Sequence, residues 1–578
     1  MTLSEDYRSV PERRLRLWPA LALGLPVLLV RFVLPAFIPS SVIIGILVGL
    51  AGAVGIGVWW LFFSRGPLPE RLLAAALVVA GMAATCFALH PSIATGMAGL
   101  LYFFYALPCV ALAFVAWACL TPWLTAGTRR TLMVATILIS CGGWALLRTD
   151  GISGGGNSDF HWRWSQTPEE RLLALSAGPS EASETVIPVS SAKPEWPGFR
   201  GSSRDAVVRG VRISTEWATT PPLELWRRQI GPGWSSFAVW GDRVFTQEQR
   251  GDEEIVACYS AATGEPLWRH ADAARFWESN AGPGPRATPT IFDGRVYAQG
   301  ATGILNALDA NTGGVIWTRN SVADTGIEIP GWGISGSPLI FGDQVVVAAS
   351  GRLMSYDIES GERRWEGPAR KGSYCSPHLV RIGGVSQIVM TGGAGVFSVA
   401  PDDGRVLWEH AWEGAPMLQP AQLENGDLLV TTASASGGAG LRRLAIEQAS
   451  GAWQVAERWS SSSLKPYFND FVVHNGHAYG FDGAILACIE LEKGERRWKG
   501  GRYGHGQIIL LADQDLLLVL SEQGEMALVK AAPDQFTELA RRAAITGKTW
   551  NHPVLVGDQL FVRNGEEVAA FRLALVGP

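Results

Sequence analysis

Leu305-Asn306-Ala307-Leu308-Asp309, followed by Asn311-Thr312-Gly313-Gly314-Val315-Ile316-Trp317, reads as a strand, a tight turn and a second strand that carries a tryptophan. The turn recurs as Ala262-Thr263-Gly264-Glu265-Pro266-Leu267-Trp268 and Glu359-Ser360-Gly361-Glu362-Arg363-Arg364-Trp365. It returns as Asp402-Asp403-Gly404-Arg405-Val406-Leu407-Trp408 and Glu492-Lys493-Gly494-Glu495-Arg496-Arg497-Trp498, while Ala449-Ser450-Gly451 reads as a degenerate copy without the tryptophan. The glycines at 264, 313, 361, 404, 451 and 494 stand 49, 48, 43, 47 and 43 residues apart, a period that signals a repeat architecture. Glycine supplies the positive φ of the turn between third and fourth strands. The tryptophan four residues on lies on the outer strand, where a flat ring wedges against the next unit. One four-stranded unit buries a single face, so units must stack, and radial stacking leaves only short edges.

Residues 196–573 number 378, and at a mean spacing of 46 they hold about eight units, with seven as the alternative. The last unit, 553–573, reads as three strands only, whereas Leu223-Glu224-Leu225-Trp226-Arg227-Arg228 is an orphan outer strand near the start. Pairing the two completes the eighth unit and clasps the ring. The expected fold is an all-β eight-bladed β-propeller of four-stranded antiparallel blades, preceded by an α-helical membrane domain of about five spans.

The repeated Thr-Gly-x-x-x-Trp turns, with the opening Trp196-Pro197-Gly198-Phe199-Arg200-Gly201, resemble the PQQ-like (pyrroloquinoline-quinone) repeat propeller superfamily over nearly all of the last 380 residues. That superfamily includes quinoprotein dehydrogenases and non-catalytic scaffolds, among them the lipoprotein propeller of the outer-membrane barrel-assembly machinery. Membrane spans before an eight-bladed propeller also resemble the plan of membrane-bound quinoprotein glucose dehydrogenase. The resemblance implies a fold; function depends on the site.

Ahead of the repeats, apolar stretches at about 17–38, 42–63, 72–89, 98–120 and 132–147 approach the length needed to cross a core of about 30 Å. Arg8, Arg13, Arg14 and Arg16 precede the first, Arg65 and Arg71 lie in the second loop, and Arg129 and Arg130 in the fourth. The first and third loops, 39–41 and 90–97, carry no Lys or Arg. Positive charge marks the cytoplasmic side. The expectation is therefore an inner-membrane protein of bacterial type with a cytoplasmic tail at 1–16, five helices over 17–148, a flexible periplasmic linker at 149–195 and a periplasmic propeller at 196–573. Arg31, inside the first span, is either a functional charge or one that snorkels to the outer interface.

Composition narrows the function classes. Residues 1–150 hold ten Arg and five acidic residues, a net +5, which leaves −10 on the remainder of a chain whose total is −5. That balance argues against a nucleic-acid groove, which needs clustered cations. Hydrophobic residues at 47% exclude disorder for the bulk of the chain. Seven cysteines without a CxxC pair suggest neither a zinc site nor a disulfide framework. His474 and His477 flank the turn Asn475-Gly476 without a third ligand, so no metal site is assigned.

In a propeller the junctions between one blade's outer strand and the next blade's inner strand surround the central funnel. Each of the eight carries a large aromatic residue: Trp234, Trp277, Trp332, Tyr374, Trp412, Tyr467, Tyr503 and Trp550. Polar residues accompany them at or near the inner strands. These are Ser235, Arg286, Ser335, His378 and Gln419 in the first half of the ring, then Asn469 with Asp470, His505, and Asn551 with His552. Convergent polar groups inside an aromatic collar suit a small ligand or a protein segment; the alternative is aromatic capping over ordered water. Two functions follow. One is a membrane-anchored binding module or scaffold. The other, implied by the resemblance, is a PQQ-dependent sugar or alcohol dehydrogenase passing electrons to membrane quinone, with calcium against the quinone, Asp470 as candidate catalytic residue, and Arg286, Lys465 and Arg502 as cations for the tricarboxylate. Asp470 is the only carboxylate at the start of an inner strand, and one acid does not easily serve as both metal ligand and base. The binding module is the preferred expectation, with no certain cofactor.

Overall fold

Alternation of apolar and turn residues from 223 onward builds a ring of eight antiparallel sheets in the computed structural model, which describes residues 15–38, 41–176, 193–370, 372–414, 417–434 and 437–577. Blade one is Ala238–Trp240, Arg243–Arg250, Glu253–Ser260 and Pro266–Asp272. Blades two to seven follow in chain order with the same meander, their inner strands being Thr290–Phe292, Leu339–Phe341, His378–Ile382, Ala421–Gln422, Val472–His474 and Gln507–Leu511. Blade eight takes Val554–Val556, Gln559–Arg563 and Glu567–Arg572 from the end of the chain, and its outer strand, Leu223–Gln229, from the beginning. The clasp runs in register from Glu567 opposite Gln229 to Arg572 opposite Leu223. Eight blades are therefore settled, and the two ends hold each other. Blade seven has a fifth strand, Val207–Val208, lying parallel to the inner strand at Leu510 and Leu511.

The tryptophans show why the repeat reads as it does. Trp268 donates its indole N–H to the Ala310 carbonyl at 3.0 Å and lies flat on the next blade's turn glycine, Gly313. A Cβ on Gly313 would stand 2.5 Å from the ring, and its φ is +73°. Both sterics and backbone therefore require glycine there. Trp226 on Gly264, Trp317 on Gly361, Trp365 on Gly404 and Trp459 on Gly494 repeat the contact. Asp309 Oδ1 fixes the turn by accepting from the Asn311 and Thr312 amides.

Blade five departs from the expectation that its copy lacks the tryptophan. Trp459 sits opposite Arg443 beside the register shift that follows every such residue, and it donates to Leu491 O at 2.9 Å. Its hairpin is longer, Gly437–Ala449 with Ala452–Ser461, which moves the ring from four to eight residues beyond Gly451. Blade seven carries Ala540 at the equivalent place. The reason is topological: blade eight draws its outer strand from elsewhere in the chain, so no turn glycine follows for a ring to cover.

Among the described residues, the N-terminal unit contains four helices long and apolar enough to span a membrane: Trp18–Phe37, Val42–Phe63, Leu68–Cys86 and Leu101–Leu120. The fifth expected span is corrected. Ala126–Gly142 is 17 residues long and opens on Arg129 and Arg130, which pair with the buried Glu70 at 3.5 and 3.2 Å, so its apolar part is too short for the full core. Part of the expected linker is also structured. Leu147–Ile152 and Ser158–Trp162 form a hairpin, with Phe160 edge-on to Tyr105 and Trp144, and Pro168–Ser176 is a helix. The expectations for Arg8, Arg13, Arg14, Pro39 and 177–192 lie outside the described residues.

Candidate functional site at the propeller axis

The segment after Trp196 uses its backbone to follow the inner strands. Trp196 bridges Val239 of blade one, Pro197 O accepts from Ile291 N of blade two at 2.7 Å, and Val207–Val208 pair with blade seven. Between these points it sends two arginines into the axis. Arg204 donates to the carbonyls of Ser337, Pro338 and Pro377, and burial pushes its pKa down to about 10. Arg200 donates to Phe471 O at 2.7 Å, and its Nη1 lies 3.4 Å from Asp470 Oδ1, with both side chains 2% exposed.

This pair sets the electrostatics. Burial raises the Asp470 pKa and Arg200 opposes the rise. His552 Nε2 stands 3.8 Å from Asp470 Oδ2, yet burial, reinforced by the charge of Arg200, pushes its pKa down to about 3. His378 is pushed to about 3 by burial and by Arg204 and Arg200. Both imidazoles are neutral at physiological pH. Asp470 Oδ1, His552 Nε2, His378 Nδ1, Gln419 Oε1, Asn469 Nδ2 and Asn551 Oδ1 are buried without hydrogen-bond partners. Such a mixture of donors and acceptors is what bridging water satisfies.

The remaining polar candidates serve mainly the junctions themselves. Ser335 donates to Tyr374 O at 2.7 Å, Gln419 to Pro377 O at 3.3 Å, and Asn551 to Gly233 O and Ser235 O at 3.1 and 2.8 Å. Asn469 Oδ1 accepts from Tyr467 N, and the His505 ring stacks on Phe468 at 5.4 Å. Arg286 is turned to Glu278 and to the carbonyls of Gly282, Pro283 and Gly284. Lys465 and Asp482 are 3.9 Å apart.

Aromatic residues from separate blades join into one series. Trp234 lies 4.8 Å from Trp550, Trp550 lies 4.7 Å from Phe468, and Phe468 lies 5.6 Å from Tyr467. Tyr467 reaches Trp332 across the ring at 6.4 Å, and Trp332 reaches Tyr374 at 5.1 Å. All six are half-buried. Lys548 Nζ stands 4.6 Å over Trp550 and 5.3 Å over Trp234. The other three junction aromatics lie apart. Trp277 is an exposed residue on a short hairpin, Trp412 packs in the core of blades four and five, and Tyr503 is buried with its hydroxyl on Glu538. Sequence reasoning missed Arg200, Arg204, Phe468 and Lys548. The signal for Arg200 was present, since it lies within the opening motif.

A family profile described as "Outer membrane protein assembly factor BamB" (PQQ_2) matches residues 223–376 and 383–574, more than half of the chain. The chain belongs to the PQQ_2 family. BamB of Shewanella oneidensis is 26% identical over 215 residues, covering 34% of this chain and 49% of that protein. BamB of Yersinia pestis is 23% identical over 354 residues, 58% of this chain and 76% of that protein. Quinohemoprotein alcohol dehydrogenase ADH-IIG of Pseudomonas putida is 27% identical over 153 residues, 24% of this chain and 21% of that protein. This PQQ_2 chain thus spans about half the length of the first of these relatives. Both branches of the resemblance are represented, so the site must be judged on its own groups. Calcium with a quinone tricarboxylate requires several oxygen ligands, cations and a separate base. Here the expected carboxylate, Asp470, is held by Arg200, Arg286 is committed to loop oxygens, and no cluster of three metal-ligating side chains occurs among the described residues.

Proposed function

We propose that the protein is a membrane-anchored binding module whose propeller grips a protein segment on its aromatic series, rather than a quinoprotein dehydrogenase. The Arg200–Asp470 pair carries this reading. The chain's own arginine occupies Asp470, the carboxylate expected to serve a catalytic site, so Asp470 acts as a structural counter-charge. The linked, half-buried rings of Trp234, Trp332, Tyr374, Tyr467, Phe468 and Trp550 offer the rigid aromatic surface that protein interfaces favour. Two relatives, named outer membrane protein assembly factors, support a protein as ligand. A photoreactive amino acid at Trp332, with one at exposed Leu539 as control, tests the reading in intact cells. Crosslinks to a polypeptide from position 332 and none from 539 support it; crosslinks absent from both sites contradict it.

The same proposal places the propeller outside the cytoplasm, with the chain anchored in the inner membrane. Arg16, Ser64 and Trp59 share one end of the helical unit, where Arg71 donates to Leu61 O and Glu70 meets Arg129 and Arg130. Helix Ala126–Gly142, short of a full span by itself, continues through the turn Gly143–Leu146 and runs beside Leu68–Cys86 from that basic end to Gly81, which faces Cys141; this continuation supports delivery of the chain to the opposite side. Alkaline phosphatase fused after Arg148 should be active; an inactive, stable fusion would reverse the orientation.

A further inference from the structure

Arg31 is the charge in the first apolar helix, and it is only 4% exposed. Its stem runs against two glycines of the second helix. A Cβ at Gly45 would stand 3.6 Å from Arg31 Cδ, and one at Gly49 would stand 3.5 Å from Cγ and Cδ while meeting Pro108 at 2.9 Å. The guanidinium carbon lies 4.2 Å from the centre of the Tyr105 ring and 5.6 Å from that of Phe32. Nε and Nη2 are buried without a hydrogen-bond partner. Among the described residues no carboxylate pairs with it: Glu70 is engaged by Arg129 and Arg130, and Asp150 by Arg148 and His161.

A cation with buried, unanswered N–H groups inside an apolar helix calls for an acceptor from outside the chain. Its depth indicates which. Arg31 is six residues from the helix end at Phe37, Gly45 three residues from Val42, and Tyr105 four from Leu101. At 1.5 Å per residue the group lies about 5–9 Å inside the helix ends, within the zone where headgroups border acyl chains. Leu28, Leu29, Ile44 and Leu47 on the same two helices are exposed, a surface suited to acyl chains.

We infer that Arg31 anchors one anionic phospholipid, whose phosphodiester oxygens accept the guanidinium N–H groups between helices Trp18–Phe37, Val42–Phe63 and Leu101–Leu120. A planar guanidinium matches phosphate oxygens in pairs. No bond is made or broken.

Native mass spectrometry of the full chain, washed in detergent and then exposed to equal phosphatidylglycerol and phosphatidylcholine, tests this. The wild type should keep one phosphatidylglycerol, Arg31→Gln should lose it by at least tenfold, and Arg65→Gln should keep it. Equal retention of the two lipids by the wild type, which needs no variant to fold, would overturn the inference, as would full retention in Arg31→Gln. Inorganic phosphate at millimolar concentration should leave the lipid in place; displacement would reassign the site to soluble phosphate.

Discussion

Replacing Arg200 with Met removes the cation that faces a carboxylate buried at the propeller axis, while keeping most of the stem. Asp470 is then left with a neutral His552 at 3.8 Å and an oxygen that already lacks a hydrogen bond. Breaking a buried pair from one side costs about 3–5 kcal/mol, because the remaining charge is uncompensated. Over a propeller of about 380 residues, at about 2.1 cal/mol/K per residue, that loss lowers Tm by about 4–6 °C. The pH dependence provides the control. Burial raises the Asp470 pKa in the folded protein, so its contribution to stability is most favourable below the unfolded value of 3.8 and is lost as pH rises through the folded value. Without Arg200 that folded value rises further. The gap between variant and wild type should therefore be widest near pH 8 and should narrow toward pH 5, as Asp470 takes up a proton. The double variant Arg200→Met, Asp470→Asn should recover at least about 2 kcal/mol relative to the sum of the single changes. Thermal melting of the full chain in detergent at both pH values measures all three. A loss below about 1 kcal/mol, or a gap independent of pH, would refute the role given to this pair.

Three further outcomes follow from the blades. Gly313→Ala forces a Cβ to 2.5 Å from Trp268 and should cost at least about 3 kcal/mol in melts, whereas Gly451→Ala, at φ +82° with nothing within 4 Å, should cost only about 1 kcal/mol of backbone strain. Trp459→Leu loses the bond to Leu491 O and the cover on Gly494, so it should destabilise by about 2–4 kcal/mol in the same assay. Glu254, whose pKa burial pushes up to about 7 from 4.5, costs stability as pH rises between those values; Glu254→Gln should gain up to about 3 kcal/mol at pH 8 relative to pH 4, as read by denaturant titration at each pH.

The blades were legible because at five of the six repeat turns the glycine is required twice, by its positive φ and by the ring above it, and such double constraints leave a period in the sequence. The clasp was legible because Leu223–Gln229 has strand character and no neighbour of its own. Trp459 was hidden by an extended hairpin that changes the spacing without changing the contact. The fifth span was overcounted because apolar length was read without the pairing of Arg129 and Arg130 to Glu70, which fixes where that helix begins. At the axis, the polar junction residues could be identified from the blade pattern, but their partners could not. Arg200 meets a residue 270 positions away, and no local pattern encodes that distance. The aromatic series illustrates the same limit: Trp332 and Tyr467 approach across the ring, a relation set by closure alone.

Titration of the purified full chain with pyrroloquinoline quinone and calcium, followed by quinone absorbance and dye reduction with sugars and alcohols, most directly tests the claim that Arg200 occupies the carboxylate a cofactor site would need. No saturable quinone signal, and no difference between wild type and Asp470→Asn, is the expected result. Stoichiometric quinone binding with dye reduction that disappears in Asp470→Asn would contradict it.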